Sequence, residues 1–370
     1  MKLQVLQENL EKAISITNRF ASTKAQLPIL GNILISARKN KIYISSTNLE
    51  ISACVQVGAK VEDDGEISIP AKVISDLISN LAKETISLES DKEQLKITSS
   101  GFSSKVLGMD STDFPKIPNS LNEEKSLSIS KKEITESLNK VVFASSTDET
   151  RPILTGVLFI LKADVLYLVA TDGFRLSKRS IPLKNYKGED KSVVIPKSIL
   201  TEIGRGVFEV EDVLFSLEES EKQVIFALED TVLTSRLLEG EFPDFEKIIP
   251  KESNVKITLD KEEFLRSVKL ASIFAREAAN VIHINVLKDG IKVTAESGQA
   301  GNQETKVDAK VEKEGGSSFE IAFNYKYLED FLRSVSGEEV KMEFINQTSA
   351  GIFKDTGDSN YLHLIMPVKI

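Results

Sequence analysis

The residues of this sequence that could carry out covalent chemistry are few and scattered. Asp172 lies in the run Thr171-Asp172-Gly173, where a carboxylate could serve as a general acid or base, although aspartate before glycine is more typical of a turn. Cys54 is the only cysteine, and His283 and His363 are the only histidines, on separate strand-like runs. These residues are too sparse to form a metal cluster or a nucleophile with its base, and we expect Cys54 to be a small buried side chain.

The sequence also lacks the motifs that hold phosphates or nucleophiles in enzymes. It contains no Walker-type glycine loop, no Gly-x-Gly-x-x-Gly after a strand and no nucleophile elbow. A single cysteine excludes an internal disulfide framework and suits a reducing cytoplasm. The amino terminus has no signal-peptide pattern, and no apolar run approaches the roughly 18 residues of a membrane span. We therefore predict a cytoplasmic protein with no metal, no cofactor and no membrane partner, and the missing motifs favour a scaffold without excluding an enzyme.

What the sequence repeats is a lysine near the start of a helix. In each copy of the pattern a short apolar strand runs into a helix, and successive copies are 126 residues apart. Amides in the first turn of a helix favour phosphate oxygens, and a lysine there adds positive charge. The three segments are Ser68-Ile69-Pro70-Ala71-Lys72-Val73-Ile74, Val194-Ile195-Pro196-Lys197-Ser198-Ile199-Leu200 and Glu320-Ile321-Ala322-Phe323-Asn324-Tyr325-Lys326.

Other landmarks recur at nearly the same interval. Pro28-Ile29-Leu30-Gly31 recurs as Pro152-Ile153-Leu154-Thr155, and Thr47-Asn48-Leu49-Glu50 recurs as Thr171-Asp172-Gly173-Phe174. The period is that of a whole domain, because solenoid repeats are roughly 20 to 50 residues long. Three copies of one domain therefore account for all 370 residues, with proline-bearing linkers near 115–120 and 242–250. We predict domains at 1–119, 126–247 and 250–370.

Each copy is predicted to contain two helices and several antiparallel strands. In the middle copy, residues 126–130 alternate between polar and apolar, as a half-buried strand does, and the next segment places Ile134, Leu138 and Val141 on one side of a helix. This pattern predicts an α+β fold in which two helices cover one face of antiparallel sheets. The predicted helices are 7–20, 72–81, 131–144, 197–205, 261–276 and 325–335, and the strands predicted for the third copy are 282–287, 291–295, 341–345, 350–354 and 361–367.

The charges are separated by sign along the chain. The net charge of −9 argues by itself against a nucleic-acid partner. The six predicted helices, however, contain 14 lysines and arginines against 10 aspartates and glutamates, which leaves −13 for the rest of the chain. Basic helices beside acidic strands and loops indicate a helical face that could lie against a polyanion.

Four separated motifs, in the same order, resemble the bacterial DNA polymerase III beta subunit family, the sliding clamps. The resemblance covers the full length and implies three DNA-clamp domains per chain, of which two chains close head to tail into a dimeric six-domain ring around duplex DNA. It implies a non-catalytic processivity factor that reads no base sequence and holds DNA through weak, salt-dependent phosphate contacts. The motifs are Leu27-Pro28-Ile29-Leu30-Gly31-Asn32, Ala170-Thr171-Asp172-Gly173-Phe174-Arg175-Leu176, Gly240-Glu241-Phe242-Pro243-Asp244-Phe245 and Met366-Pro367-Val368-Lys369-Ile370.

The resemblance also implies three sets of binding residues. The DNA-contacting residues are Lys24, Lys72, Arg151, Lys197 and Arg205. The ring-closing residues are Lys105, Val106 and Leu107 on an edge strand of copy one, and Ile273 and Phe274 on copy three. The peptide pocket between the second and third domains is formed by Leu154, Thr171, Gly173, Phe174, Arg175, Leu176, Pro243, Lys247, Ile248, Asn324, Tyr327, Thr348, Leu364, Met366, Pro367 and Val368.

The implied pocket takes an extended segment that has a glutamine and a leucine-phenylalanine-like end. Its implied partners are the DNA polymerase III alpha subunit, the clamp loader ATPase, translesion and repair polymerases, mismatch repair proteins and ligase, in the nucleoid-associated cytoplasm of a bacterium. Two positions depart from the common family pattern: Phe174 replaces a frequent histidine, and Lys247 replaces an arginine. Lysine cannot reproduce the planar fork of arginine, so we expect shifted partner preferences.

Two other classes of function stay open from the residues alone. An enzyme built on a triplicated fold, acting on nucleotides, would lose turnover when a carboxylate such as Asp172 is changed. A protein-interaction scaffold unrelated to DNA would make no salt-sensitive contact with DNA.

Overall fold

The computed structural model describes residues 1–22, 27–123, 126–183, 189–218, 221–313 and 319–369. The chain forms two compact units, one of Met1–Lys132 with Gly206–Leu237 and one of Glu133–Arg205 with Leu238–Ile370. None of the helices in these ranges is long and apolar enough to cross a membrane.

Nearly the same order of elements appears three times along the chain, and copies one and three each have one short strand more than the described part of copy two. Copy one contains β1 (Lys2–Leu6), α1 (Gln7–Thr17), β2 (Asn32–Arg38), β3 (Lys41–Thr47), β4 (Ile51–Gly58), β5 (Lys60–Asp63), β6 (Gly65–Pro70), α2 (Ala71–Ser79), β7 (Thr85–Asp91), β8 (Gln94–Ser99) and β9 (Phe102–Leu107). Copy two contains β10 (Leu127–Ser130), α3 (Lys131–Val141), β11 (Gly156–Lys162), β12 (Val165–Thr171), β13 (Arg175–Pro182), β14 (Lys191–Pro196), α4 (Lys197–Gly204), β15 (Asp212–Glu218), β16 (Gln223–Leu228) and β17 (Thr231–Arg236). Copy three contains β18 (Val255–Asp260), α5 (Lys261–Ala275), β19 (Val281–Val286), β20 (Gly290–Ser297), β21 (Gly301–Asp308), β22 (Lys310–Lys313), β23 (Phe319–Asn324), α6 (Tyr325–Ser334), β24 (Glu339–Phe344), β25 (Gly351–Asp355) and β26 (Tyr361–Ile365).

The helices bury one apolar stripe and expose the opposite face. In α5, Phe264, Val268 and Ala271 are buried at spacings of three and four residues, and the Asp260 carboxylate caps the helix by accepting a hydrogen bond from Glu263 N at 2.8 Å. The helix predicted over 131–144 is shorter in the structure, where α3 ends at Val141 and Val142–Ala144 forms a 3-10 turn. Short 3-10 turns commonly end α-helices.

The strands of the described ranges form four antiparallel sheets, which carry these helices. The first unit contains a sheet of order β5-β1-β7-β8-β9 and a larger one of order β10-β15-β16-β17-β4-β3-β2-β6. The second unit contains the order β14-β11-β12-β13-β26-β25-β24-β18-β22 and the smaller sheet β21-β20-β19-β23. Each large sheet therefore joins strands of two neighbouring copies.

The strand β21 was missed by the sequence-based prediction of the third copy. Of its eight residues only Val307 is buried, so the strand shows little polar and apolar alternation. Its backbone nevertheless pairs with β20 in register from Gly290↔Asp308 to Ser297↔Gly301. This strand is defined by the pairing of its backbone with β20, and the pattern of its own side chains does not predict it.

Candidate functional site

The loop between β12 and β13 is held in shape by its own side chains. Thr171 Oγ1 donates to Arg175 O at 2.6 Å and accepts from Gly173 N at 3.0 Å. Asp172 Oδ1 accepts from Phe174 N at 2.9 Å and from Arg175 N at 3.0 Å. Gly173 has a φ of 94°, in the left-handed region that favours glycine. Asp172 is therefore a turn-forming residue, and the loop displays Phe174 with 58% of its surface exposed.

Arg175 ties this loop to α6 and to the 3-10 turn after α3. Its Nε lies 3.1 Å from Asp172 Oδ2, its Nη1 lies 2.5 Å from Asp330 Oδ2, and its Nη2 donates to Phe143 O at 2.8 Å. The guanidinium carbon lies 4.7 Å from the ring centroid of Tyr327 and 5.4 Å from that of Phe143. Because the N–H groups of its guanidinium are occupied in this way, Arg175 holds the loop in place and does not present a free charge.

The last residues of the chain pass beside this loop. Met366 N donates to Phe174 O at 2.8 Å, and Val368 N donates to Ala322 O at 2.8 Å. Pro367 has no N–H with which to continue the ladder, and β26 ends at Ile365, two residues before the end of the strand predicted over 361–367. Met366 is left 40% exposed next to Phe174.

Two of the three predicted leucines, Leu176 and Leu364, lie in an apolar cluster between the sheet and the linker at 238–249. Leu176 of β13 stands opposite Leu364 of β26, and both are almost fully buried. Leu154 is also buried, in the 3-10 turn Pro152–Thr155, whereas Ile248 is 48% exposed at the end of the turn Phe245–Ile248. The cluster consists of Leu158, Val169, Leu176, Val194, Phe245, Ile352 and Leu364, with Ile153, Ile160, Leu238, Phe242, Ile249 and Leu362 packed against it.

Two polar residues of the predicted pocket are fixed at the start of α6. Asn324 caps the helix, and its Oδ1 accepts from Lys326 N at 3.0 Å. The ring of Tyr327 lies against Arg175, and burial, followed by the negative charge of Asp172, raises the pKa of the phenol. The phenol therefore stays neutral and can serve as a hydrogen-bond donor.

Two further predicted pocket residues bond within their own loops. Lys247 Nζ lies 2.8 Å from Asp244 Oδ2, and the lysine side chain is 81% exposed. An exposed pair of this kind contributes little to stability, so the ammonium group can be recruited by a ligand. Thr348 Oγ1 donates to Asn346 Oδ1 at 3.1 Å in the loop after β24.

The predicted DNA-contacting residues lie in both units. Lys24 falls outside the described residues. Lys72 is exposed on α2 in the first unit, and Lys197 opens α4 in the second unit, where it is half-buried. Burial lowers the pKa of the Lys197 ammonium, and the positive charge of Arg175 lowers it further.

Two arginines complete the predicted DNA-contacting set. Arg205 follows α4, with its Nη2 at 3.5 Å from Glu202 Oε1. Arg151 Nε lies 3.6 Å from Asp148 Oδ2, and a Cβ on Gly173 would be 3.5 Å from Arg151 Nη1. The structure therefore places Arg151 beside the loop that displays Phe174, so a predicted DNA contact and a predicted peptide contact are neighbours.

Neighbouring copies within each unit are joined by strand pairing of the same register. In the first unit β4 of copy one pairs with β17 of copy two, from Ile51↔Ser235 to Val55↔Thr231. In the second unit β13 of copy two pairs with β26 of copy three, from Arg175↔Ile365 to Arg179↔Tyr361. In both junctions the first residue of one strand stands opposite the fifth residue of the other.

The predicted ring-closing residues of copy one lie on an outermost strand. β9 pairs with β8 at one edge of its sheet, with Lys105 exposed, Val106 buried and Leu107 73% exposed. Those of copy three lie at the end of α5, where Ile273 is 58% exposed. Phe274, in contrast, packs partly against the core of copy three.

Sequence reasoning missed two features of the same region. β21 is the outermost strand of its sheet, and Leu270 is 44% exposed on α5, one helical turn before Ile273. The spacing of three residues that places Leu270 and Ile273 on one face was available in the sequence. The edge position of β21 was not, because it depends on which strands pair.

The structure offers no metal site among the residues that it describes, where no three His, Cys, Asp or Glu side chains form a suitable group. Cys54 is buried in β4, as predicted, and burial raises the pKa of its thiol. His363 is also buried, with Nδ1 at 2.7 Å from Ser177 Oγ, and burial lowers the pKa of its imidazole.

Comparisons with known proteins agree with this geometry over the whole chain. Sequence profiles of the DNA polymerase III beta subunit match at residues 1–118 for the N-terminal domain, 128–244 for the central domain and 246–369 for the C-terminal domain. A beta sliding clamp of Synechocystis sp. is 32% identical over 100% of both chains, and one of Staphylococcus aureus is 30% identical over 95% of both. The crystal structure of the DNA polymerase sliding clamp from Bacillus subtilis has a TM-score of 0.94 at 27% identity and covers 100% of this chain and 99% of that one. The chain belongs to the DNA polymerase III beta subunit family, the beta sliding clamps, which confirms the predicted family, the fold of three clamp domains and the non-enzymatic clamp function in replication.

Proposed function

We propose that two copies of this chain close head to tail into a six-domain ring around duplex DNA and act as the processivity factor of the replicative polymerase. The single observation that carries this proposal is the repeated junction. Two strand pairs of identical register already join copy one to copy two and copy two to copy three. β9 of copy one and β21 of copy three are each outermost in their sheets and have no partner on one side among the described strands. A third junction, between chains, would pair the outermost strand β9 of one chain with the outermost strand β21 of the other.

The repeat also specifies the register of that third junction. β21 is the counterpart of β4 and β13, because all three have eight residues and pair with the preceding strand of their own copy. β9 is the counterpart of β17, since both follow a tight turn. If the first residue again faces the fifth, Gly301 stands opposite Val106, and Asn302 stands opposite Lys105 of the second chain.

The helices beside these edges support the same junction. Ile16, Lys140 and Leu270 occupy equivalent positions, each eleven residues after Val5, Ile129 or Leu259. Ile16 and Lys140 are 6% and 4% exposed, but Leu270 is 44% exposed. Leu270 and its neighbour Ile273 thus form an apolar surface where the other two copies have buried side chains, and a second chain would cover it.

The basic residues on the helices and nearby loops suit phosphate contacts inside the ring. Lys72, Lys197, Arg151 and Arg205 would each add a salt-dependent contact that positions DNA without reading bases, and we keep Lys24 in this set from the resemblance. Because enclosure holds the DNA, weak contacts suffice and permit sliding. Acidic strands and loops would discourage DNA from binding elsewhere.

The loop that displays Phe174, together with Met366, Leu176, Leu364 and Ile248, is proposed as the slot for partner peptides. Exposed apolar side chains next to a buried cluster provide an anchor site, and Asn324, Tyr327 and Lys247 supply polar contacts. We keep as proposed partners the polymerase III alpha subunit, the clamp loader ATPase, translesion and repair polymerases, mismatch repair proteins and ligase. The proposed location is the nucleoid-associated cytoplasm, and the proposed domains are 1–119, 126–247 and 250–370.

The ring is tested by its dependence on DNA topology. The protein is loaded onto nicked circular plasmid by a bacterial clamp loader with ATP, and the plasmid is then cut once. We expect bound protein to be lost on cutting, and a Leu107→Asp variant to be retained poorly even on the uncut circle. Equal retention on circular and linear DNA would contradict the ring, and absence of any salt-sensitive DNA contact would favour a scaffold.

A further inference from the structure

In the second unit, the linker at 238–249 covers one face of the large sheet. Past the apolar cluster on this face lies a groove. Along β13, Leu176, Lys178 and Ser180 alternate onto one face of the sheet, and Leu364 and Leu362 of β26 stand opposite the first two. The groove has a volume of about 350 Å³ and follows directly from the strands that carry the proposed slot. It is lined by Tyr167, Lys178, Ser180, Ile249, Lys354, Asp355, Asp358, Ser359, Asn360, Tyr361 and Leu362.

Lys178 is the available cation of this groove. Its ammonium lies 5.0 Å from the ring centroid of Tyr167 and 5.4 Å from that of Phe245, so two aromatic rings hold its stem in position. Among the residues that the structure describes, Lys178 has no acidic side chain within ion-pair distance. Lys354, the other lysine of the groove, is already paired with Glu343 at 2.9 Å.

The carboxylates that line the groove do not neutralise Lys178. Asp355 Oδ2 accepts from Lys140 Nζ at 3.1 Å, and its two oxygens also accept backbone amides at Ser336 and Gly357. Asp358 Oδ2 accepts from Lys140 Nζ at 2.7 Å. Both acids are thus paired at the junction between copies two and three, and neither is within ion-pair distance of the Lys178 ammonium.

We propose that this groove binds the part of a partner segment that flanks its apolar anchor, and that Lys178 pairs there with an acidic side chain. The proposal rests on the slot proposed above, because an anchor held over Leu176 and Leu364 leads the adjoining residues along the strands toward Lys178. An acidic flank matches the charge, and the half-apolar walls at Tyr167, Ile249 and Leu362 accept its backbone and neighbours. The affinity of a partner segment would therefore depend on the charge of its flanking residues as well as on its apolar anchor.

The test measures binding of labelled peptides to the full-length protein by fluorescence anisotropy. One peptide carries only the anchor, Gln-Ser-Ser-Leu-Phe, and the others extend it on either side with Asp-Asp or with Asn-Asn. On one of the two sides we expect the Asp extension to bind about three- to fivefold more tightly than the Asn extension at low salt. This ratio should fall to one in Lys178→Met, persist in Lys178→Arg, and stay as in the unmodified protein in Lys162→Met, a control at the end of β11.

The outcomes separate the groove from the slot. If the anchor peptide binds but Asp and Asn extensions bind equally on both sides, or if the ratio persists in Lys178→Met, the groove proposal is wrong and the slot proposal stands. If the anchor peptide does not bind at all, the slot proposal fails and the groove proposal fails with it.

Discussion

The junction between copies one and two and the junction between copies two and three share a strand register but are held by different side chains. In the first, Ile16 is buried and lines a cavity of about 210 Å³ together with Phe208 and Leu228. In the second, the equivalent Lys140 is buried and bonds to Asp355 and Asp358. The register is therefore a property of the repeated backbone, while the packing at each junction can be apolar or ionic.

The comparison indicates which kind of junction would close the proposed ring. Leu270 occupies the position of Ile16 and Lys140, and its neighbours in the proposed third junction include Ile273 and Leu107. The third junction is thus expected to resemble the first, with an apolar centre. Apolar surfaces can separate into water without leaving a buried charge unpaired, which would suit the proposed ring if a loader opens it at this junction.

The largest effect is expected at the third junction. Leu107→Asp would place a charge in an apolar contact that occurs twice in the proposed dimer, so we expect the dimer dissociation constant to rise about a thousandfold. Sedimentation equilibrium over a range of concentrations measures it. Val73→Asp, which changes an exposed apolar residue of α2, is the matched control and should leave the dimer intact.

The same replacement at equivalent positions distinguishes the two internal junctions. Lys140→Met keeps the volume but removes the ammonium from Asp355 and Asp358, and we expect the free energy of unfolding to fall by about 3 kcal/mol. Ile16→Met exchanges one apolar side chain for another and should cost less than about 1.5 kcal/mol. Urea titrations of both variants make the comparison, and equal losses would show that the ionic contacts do not hold the second junction.

Acid should weaken the second junction selectively. Burial favours a raised pKa for Asp355, but hydrogen bonds from Ser336 N, Gly357 N and Lys140 outweigh it, so the pKa of this carboxyl is lowered. A lowered pKa contributes stability that is present above the unfolded value of about 4 and is lost as the pH falls through the folded value. Urea midpoints measured from pH 6 down to pH 3 should fall less steeply in Asp355→Asn than in the unmodified protein, whereas Ile16→Met should keep the original slope.

A smaller effect is expected from the loops beside the two junctions. The loop Thr47–Ile51 repeats the hydrogen bonds of Thr171–Arg175. Ile51 stands where copy two has Arg175, so copy one lacks the guanidinium contacts that fix the loop. Arg175→Lys should therefore weaken peptide binding at the slot about fivefold, because lysine cannot bond to Asp172, Asp330 and Phe143 O together. Calorimetric titration with the anchor peptide measures the change, with Ile51→Val as a control that should bind normally.

Much of the fold could be predicted from the sequence, because the three copies share landmarks at a fixed interval. Helix starts at Lys131, Lys197 and Lys261 agree with the structure, and the strands predicted over 282–287 and 341–345 correspond to β19 and β24. The polar strand β21 could not be found in this way, since its position depends on pairing with β20. The helix predicted over 131–144 ends early at Val141.

The turn at the candidate site was predictable from the sequence, but the contacts that hold it were not. The motif around Asp172 indicated a turn, and the structure agrees. It did not indicate that Arg175 points into contacts with Phe143 and Asp330, because those partners lie 32 and 155 residues away along the chain. Nor did it reveal that Lys178, one alternation beyond Leu176, lacks an acidic partner among the described residues.

Cysteine cross-linking tests the proposed register of ring closure most directly. In a Cys54→Ser background, Lys105→Cys and Asn302→Cys are combined in one chain, because these exposed residues would face each other across the third junction at a distance that a disulfide can span. Under mild oxidation we expect a covalent dimer from this pair and none from Lys105→Cys with Lys306→Cys, which lies four residues out of register. Monomer alone from the first pair, or equal cross-linking of both pairs, would contradict the account.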